Sequence, residues 1–312
     1  MKYRAIIRDA WSLTQENKKL IWWFAFVPAV LSTLVSIGYF VYQFYALWTS
    51  PFVRRAAEGT PDIFMTIAKR SLDFISNNPG FGAVLIVVAA ILGIIYLMLP
   101  VFTQGALIQS IAKLRRGEKV SIAEGISFGL SSFLPLFEYH LLIKTFSAVS
   151  IFTEAVFVFR SFGPGPFFLF SWIFVIFLVV AVVFTFLFTF ADYYIVLEKR
   201  PVFRSILKSS GLVIRQWHHL IFMLLLMAII SVRIVVNILF ALLIPILFIL
   251  PIILFASFTL TGVGMIIGGI VGLIALYFAS YFVSTFHVFT AAVWTFTFLE
   301  LHSKEPEEQE NE

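Results

Sequence analysis

Six apolar runs constrain this chain more than any other feature. They span Leu20–Trp48, Gly82–Ile108, Phe133–Val158, Phe167–Leu197, Trp217–Leu250 and Leu260–Phe298. Each exceeds the ~20 residues an α-helix needs to cross a bilayer. In hydrocarbon every backbone N–H and C=O must find a partner within the chain, so runs of this kind fold as helices. Composition agrees: 61% of residues are apolar and 12% charged, against roughly 45–50% and 25% in soluble domains. The expected fold is all-α, a polytopic six-transmembrane-helix bundle over residues 1–300. An acidic tail, residues 301–312, is expected to be disordered and solvated. No small-residue cleavage site closely follows the first run, which reads as an uncleaved span. The last two runs are long. Pro245 and Pro251 mark kinks or ends there, and a re-entrant segment over 246–261 is an alternative to a simple crossing.

The net charge of +5 is gathered at the ends of the runs, so it reads as orientation in a membrane rather than as a nucleic-acid surface. Fourteen Lys and Arg lie before run one, between runs two and three, and between runs four and five; five lie on the opposite side. The positive-inside rule then places both termini in the cytoplasm. Cysteine is absent, which excludes disulfides and thiolate catalysis.

Amphipathic segments precede several runs. In "RAIIRDAWSLTQ", Ile6, Ile7, Ala10 and Leu13 share a face away from Arg4, Arg8 and Asp9. In "RPVFRSILKSSGLVIRQ", Val202, Phe203, Ile206, Val213 and Ile214 group in the same way. "SIAEGISFGL" opens with Ser121 and Glu124 at capping-box spacing, and a fourth segment follows Thr60 and Pro61. Basic-edged helices of this type lie in the membrane interface, which makes Arg4, Arg8, Arg204 and Lys208 the expected contacts to anionic lipid headgroups. A unit of amphipathic helix plus two spans recurs from near residues 3, 120 and 201, as a threefold internal repeat would. The plainer reading is that amphipathic lead-ins are common before membrane spans.

With this layout, "LIQSIAKLRRGEKVSIAEGISFG" and "YYIVLEKRPVFRSILKSSGLV" resemble a broad group of bacterial multi-pass membrane proteins. That group is similar to the membrane domain attached to some glycerophosphoryl diester phosphodiesterases. The resemblance covers most of residues 1–300 and implies a membrane fold and a bacterial cytoplasmic membrane. No phosphodiesterase domain accompanies it, so no catalytic residue is carried over.

Polar residues within the runs fall at helical steps. In run three, His140, Lys144, Ser147 and Glu154 are spaced 4, 3 and 7 and align on one face of a continuous helix. Glu138 lies off that face, toward Asp192. Run one carries Ser32, Ser36, Tyr39 and Gln43; run four Thr185, Thr189 and Asp192; run five Arg233 and Asn237; run six Ser280, Ser284 and His287. Such stripes must face protein or a wet cavity. They read as a polar seam, or as interhelical hydrogen bonds worth roughly 0.6 kcal/mol each. Glu154 and Arg233 are the expected ion pair. Gly262, Gly264, Gly268, Gly269 and Gly272 have the spacing of close helix packing or of a hinge.

Enzyme motifs are not found: neither His-Glu-x-x-His, nor Gly-x-Ser-x-Gly, nor a Walker A loop. Adjacent His218 and His219 diverge on a helix and suit one metal poorly. No cofactor, metal or catalytic residue is therefore expected. The first reading is a membrane module acting through lipids or a partner membrane protein. A small-molecule transporter using the polar seam is the alternative, and an intramembrane enzyme ranks last.

Overall fold

A computed structural model of the chain describes residues 3–48, 77–144, 147–234 and 261–303. Among them no strand is found, and six helices are long and apolar enough to cross a membrane. The chain is an all-α, multi-pass membrane protein. Helix α1 is Tyr3–Glu16. After Asn17, Lys18–Leu20 leads through a π-helical stretch, Ile21–Phe26, into Val27–Trp48; together they form α2. Pro28 explains the widened turn, because it removes the N–H that would bond the Phe24 carbonyl. Then come α3 (Pro79–Arg115), α4 (Ile122–Lys144), α5 (Ala148–Phe162), α6 (Pro164–Leu187), α7 (Ala191–Glu198) and α8 (Val202–Arg215). Trp217–Ile234 is α9 and Thr261–His302 is α10. The fourth amphipathic segment and residues 246–261, except Thr261 itself, fall outside the described residues.

Two structural details differ from the sequence reading. Run three is not one helix over 133–158. Its amphipathic lead-in is continuous with the span, and α4 ends at Lys144. A new helix, α5, starts at Ala148, where the extended Ser147 accepts a hydrogen bond from the Ser150 N–H through its side chain. A serine in that role offers the backbone a helix start instead of a continuation. The Ser121–Glu124 capping box does form: the Ser121 N–H donates to the Glu124 carboxylate at 2.8 Å, and the Glu124 N–H to Ser121 Oγ at 3.2 Å. It opens α4 itself, so the middle unit has no separate lead-in.

The lead-ins of the outer two units match closely. Helices α1 and α8 both have 14 residues. In each, a one-residue break precedes the span, at Asn17 and Gln216. The break residue's N–H bonds back to Leu13 or Leu212, and its carbonyl accepts from Leu20 or His219. The lead-in helix and the break before the span therefore recur in two copies among the described residues, and the middle unit departs from that pattern.

Packing is concentrated at one end of the bundle. One buried cluster joins Ile6, Ala10 and Leu13 of α1 to Phe24, Ile111, Met223 and Phe289. A second joins Leu136, Phe190, Tyr194, Val213 and Phe298. Elsewhere large apolar side chains face outward, among them Ile86, Ile94, Phe168, Leu169 and Leu273, as lipid-facing helices require. The apolar face of helix α1 packs on the protein core.

A close backbone approach joins α3 to α4. A Cβ on Gly129 would lie 2.8 Å from the Phe102 carbonyl oxygen, and one on Gly105 would lie 3.1 Å from Leu136 Cδ1 and Ser132 Cβ. By contrast, a Cβ on Gly272 would meet nothing within 4 Å. Close packing by glycine thus falls on α3–α4 and not at Gly272. Gly129→Ala should destabilise the bundle by about 1–3 kcal/mol, because backbone must move to admit the methyl. Gly272→Ala should not. Thermal unfolding of both variants in the same detergent separates them.

Candidate functional site

The site grows from an interruption in a membrane-spanning segment. Helix α6 ends at Leu187 and α7 begins at Ala191, so the connecting backbone needs outside partners. Ser209 of α8 supplies two: its hydroxyl donates to the Leu187 carbonyl at 2.8 Å and accepts from the Phe190 N–H at 3.1 Å. The Tyr139 hydroxyl of α4 donates to the Phe188 carbonyl at 3.2 Å. Thr189 folds back on the Phe186 carbonyl at 2.8 Å. Irregular backbone at membrane depth is tolerated only where protein or a cavity satisfies it.

The break puts Asp192 in the first turn of α7, where the helix dipole favours an anion. Gln104 of α3 donates its side-chain N–H to Asp192 Oδ2. His140 Nε2 of α4 lies 3.8 Å from the same oxygen. The Asp192 side chain is only 13% exposed. Asp192 Oδ1 and His140 Nε2 are both buried without a hydrogen-bond partner. Three elements thus converge on a carboxylate whose hydrogen-bonding capacity is not used up.

Gln104 and His140 also line a cleft of about 610 Å³ between α2, α3, α4, the start of α5, α6 and α10. Its walls are mainly apolar, and its polar positions include Gln104, His140, His287, Ser32, Ser147 and Thr185. Pro28 and Pro100 also line it, each removing a donor from its own helix.

The polar seam expected from sequence is divided. His140 and Asp192 meet, His287 and Ser147 border the same cleft, and Gln104 completes the group. The stripe His140–Lys144–Ser147–Glu154 does not exist as one face, because the helix ends at Lys144. The Lys144 side chain and all of Asn237 are outside the described residues. Glu154 and Arg233 are both exposed, and among the described residues no ion pair joins them. Glu138 is exposed, and Asp192 takes His140 and Gln104 as partners instead. Tyr39 bonds Thr153 at 2.6 Å and Gln43 bonds Tyr39 at 2.5 Å, so that stripe joins α2 to α5 by hydrogen bonds. Arg4 and Arg8 are exposed on α1, and Arg204 and Lys208 on α8. His219 pairs through Nδ1 with the Tyr3 hydroxyl. Burial, and then Glu300, holds that phenol above its ordinary pKa.

Sequence reasoning missed Gln104, Tyr139 and Ser209. Gln104 carried a signal, an isolated amide four residues after a proline in an apolar run. Ser209 and Tyr139 act on a break that no local pattern announces. No protein-family model, curated protein or solved structure matches the chain.

Ser209→Ala leaves two buried backbone groups unpaired and should cost about 1–3 kcal/mol. Ser205 is equally buried but donates only to carbonyls just before its own helix, those of Pro201 at 3.1 Å and Arg200 at 3.4 Å, and holds no other element. Ser205→Ala should therefore cost less. Unfolding midpoints of the two variants, compared in one detergent, test the assignment.

Proposed function

We propose that this protein binds and moves a small amphiphilic solute, with an apolar body and a cationic or hydrogen-bond-donating head, through the cleft beside the broken helix. The observation that carries this reading is the Asp192–His140–Gln104 group, held at an interrupted span, whose His140 and Gln104 line a cleft of about 610 Å³ with Asp192 behind them. Discontinuous membrane helices that expose half-helix ends beside a cavity are a recurrent way to build solute sites. An intramembrane ionisable residue with a named partner is costly unless it serves a site. The apolar walls suit the body of the solute, and the carboxylate behind Gln104 and His140 attracts a positive or donating head.

The test is uptake of a lipophilic cation, tetraphenylphosphonium, into vesicles carrying the purified protein. The expected result is uptake above that of empty vesicles. Asp192→Asn should reduce it at least tenfold, with the unfolding midpoint retained. Uptake equal to that of empty vesicles, or unaffected by Asp192→Asn and His140→Gln together, removes the reading.

The membrane is proposed to be a bacterial cytoplasmic membrane, with the N-terminus inside. Support comes from the charge asymmetry of the loops and from the clustering of contacts at one end. There Arg115 donates to the Phe296 carbonyl at 2.7 Å, Tyr3 meets His219, and His302 lies 3.3 Å from Glu198. Because the chain has no cysteine, Arg116→Cys provides a single reporter. It should resist a membrane-impermeant maleimide applied to intact cells and react after lysis. Labelling of intact cells would reverse the orientation.

A further inference from the structure

Helix α8 has a third face that α1 lacks. Val202, Ser205, Ser209, Leu212 and Val213 are buried against the bundle. Phe203, Leu207 and Ile214 are 67%, 72% and 65% exposed, and their steps of four and seven residues align them in one stripe. Arg204, Lys208 and Arg215 repeat those steps one residue on, and all three are exposed. The outward face of α1 carries Arg4, Arg8, Asp9 and Ser12 with a single large apolar side chain, Trp11. Two helices of equal length and similar place in the fold therefore offer different surfaces.

What covers the apolar stripe follows from its continuity. Past the Gln216 break, exposed apolar surface runs on through Trp217, Ile221 and Leu225, which belong to a helix of membrane-spanning length and apolarity. The medium that solvates α9 is hydrocarbon, so the stripe on α8 meets the boundary of the same bilayer. The basic stripe beside it then lies at headgroup level. Between Lys208 and Arg215 the surface dips over Gly211 into a groove of about 340 Å³, walled by Leu207 and Leu212. A Cβ at Gly211 would meet no atom within 4 Å. Lysine and arginine are donors only, and both match phosphate oxygens.

We propose that α8 docks on the bilayer as a lipid-recognition helix. Phe203, Leu207 and Ile214 enter the acyl boundary, and the groove over Gly211 takes the phosphate of an anionic phospholipid between Lys208 and Arg215. This site is separate from the cleft and holds whatever solute the cleft takes.

The test uses the full chain, purified in detergent and mixed with equal amounts of phosphatidylglycerol and phosphatidylcholine. Lipid retained on the protein is then counted by native mass spectrometry. The intact chain should retain phosphatidylglycerol in preference. Lys208→Gln with Arg215→Gln should lower that preference by roughly 25-fold, about fivefold for each charge near an anionic surface. Gly211→Leu, which fills the groove without touching the core, should lower it with both charges in place. Equal retention of the two lipids by the intact chain, or unchanged preference in all these variants, overturns the proposal. A second measurement does not depend on the charge variants folding. A nitroxide on Leu207→Cys, in phosphatidylglycerol vesicles, should be reached by molecular oxygen and shielded from a water-soluble nickel complex. A nitroxide on Arg4→Cys should show the reverse. A label at 207 that the nickel complex quenches freely also overturns it.

Discussion

The structure depends on one constraint: backbone polar groups placed in hydrocarbon must be satisfied by the chain itself. That constraint turns six apolar runs into helices. It also makes the gap between α6 and α7 possible only where other helices reach it. Ser209 and Tyr139 do so, with hydrogen bonds to Leu187, Phe190 and Phe188. The gap sets where α7 starts, and that start sets where Asp192 meets Gln104 and His140. A carboxylate in a membrane segment is thus the outcome of two hydroxyl groups on two other helices.

Packing explains why a cleft exists beside that carboxylate. Gly105 and Gly129 let α3 and α4 approach until Phe102 lies against the α4 backbone. The close contact holds the Gln104 and His140 walls at a fixed separation. On the other side, the π-helical stretch that ends at Phe26 contains Ala25, and regular α-helix resumes at Val27, so the cleft is bordered where the widened turn gives way to Pro28 and Ala29. One wall is pinned by a close approach, and the facing wall is widened by a missing donor.

Class and span number were legible in the sequence because apolar length alone decides them. The finer readings failed where a single side chain redirects the chain. Hydropathy carries through residues 133–158, yet Ser147 caps a new helix, and a face computed across that point has no physical existence. His140 and Asp192 were both visible as polar residues in apolar runs, but their pairing was not, since it depends on the break at Phe188–Phe190. The glycine cluster near residue 268 stands out by spacing, whereas the described glycines that a Cβ would crowd against a neighbouring helix are Gly105, which is solitary, and Gly125 and Gly129, four residues apart at the start of α4. Amphipathic pattern was equally ambiguous. It predicts that α1 and α8 each hide a face, and it does not say whether protein or lipid hides it. For α1 the answer is α10 and the core; for α8 part of the apolar surface remains outside.

That difference gives α8 its place in the protein. Its inner face carries Ser209, which holds the broken helix at Leu187 and Phe190. Its outer face carries the stripe that meets the bilayer boundary in the proposed arrangement. The two faces are parts of one rigid 14-residue helix, so a shift of α8 against the membrane surface is also a shift of Ser209 against the gap. A two-hydrogen-bond contact at 2.8 and 3.1 Å tolerates little displacement before both bonds weaken. In the proposed arrangement a lipid that positions α8 would bear, through Ser209, on the backbone just before Asp192. Helix α1, the counterpart of α8 in the other unit, has no such double role. Its inner face packs on side chains of α2, α3, α9 and α10, and among the described residues no hydrogen bond joins it to the gap between α6 and α7, so in the proposed arrangement it is α8 that reaches both the bilayer boundary and that gap.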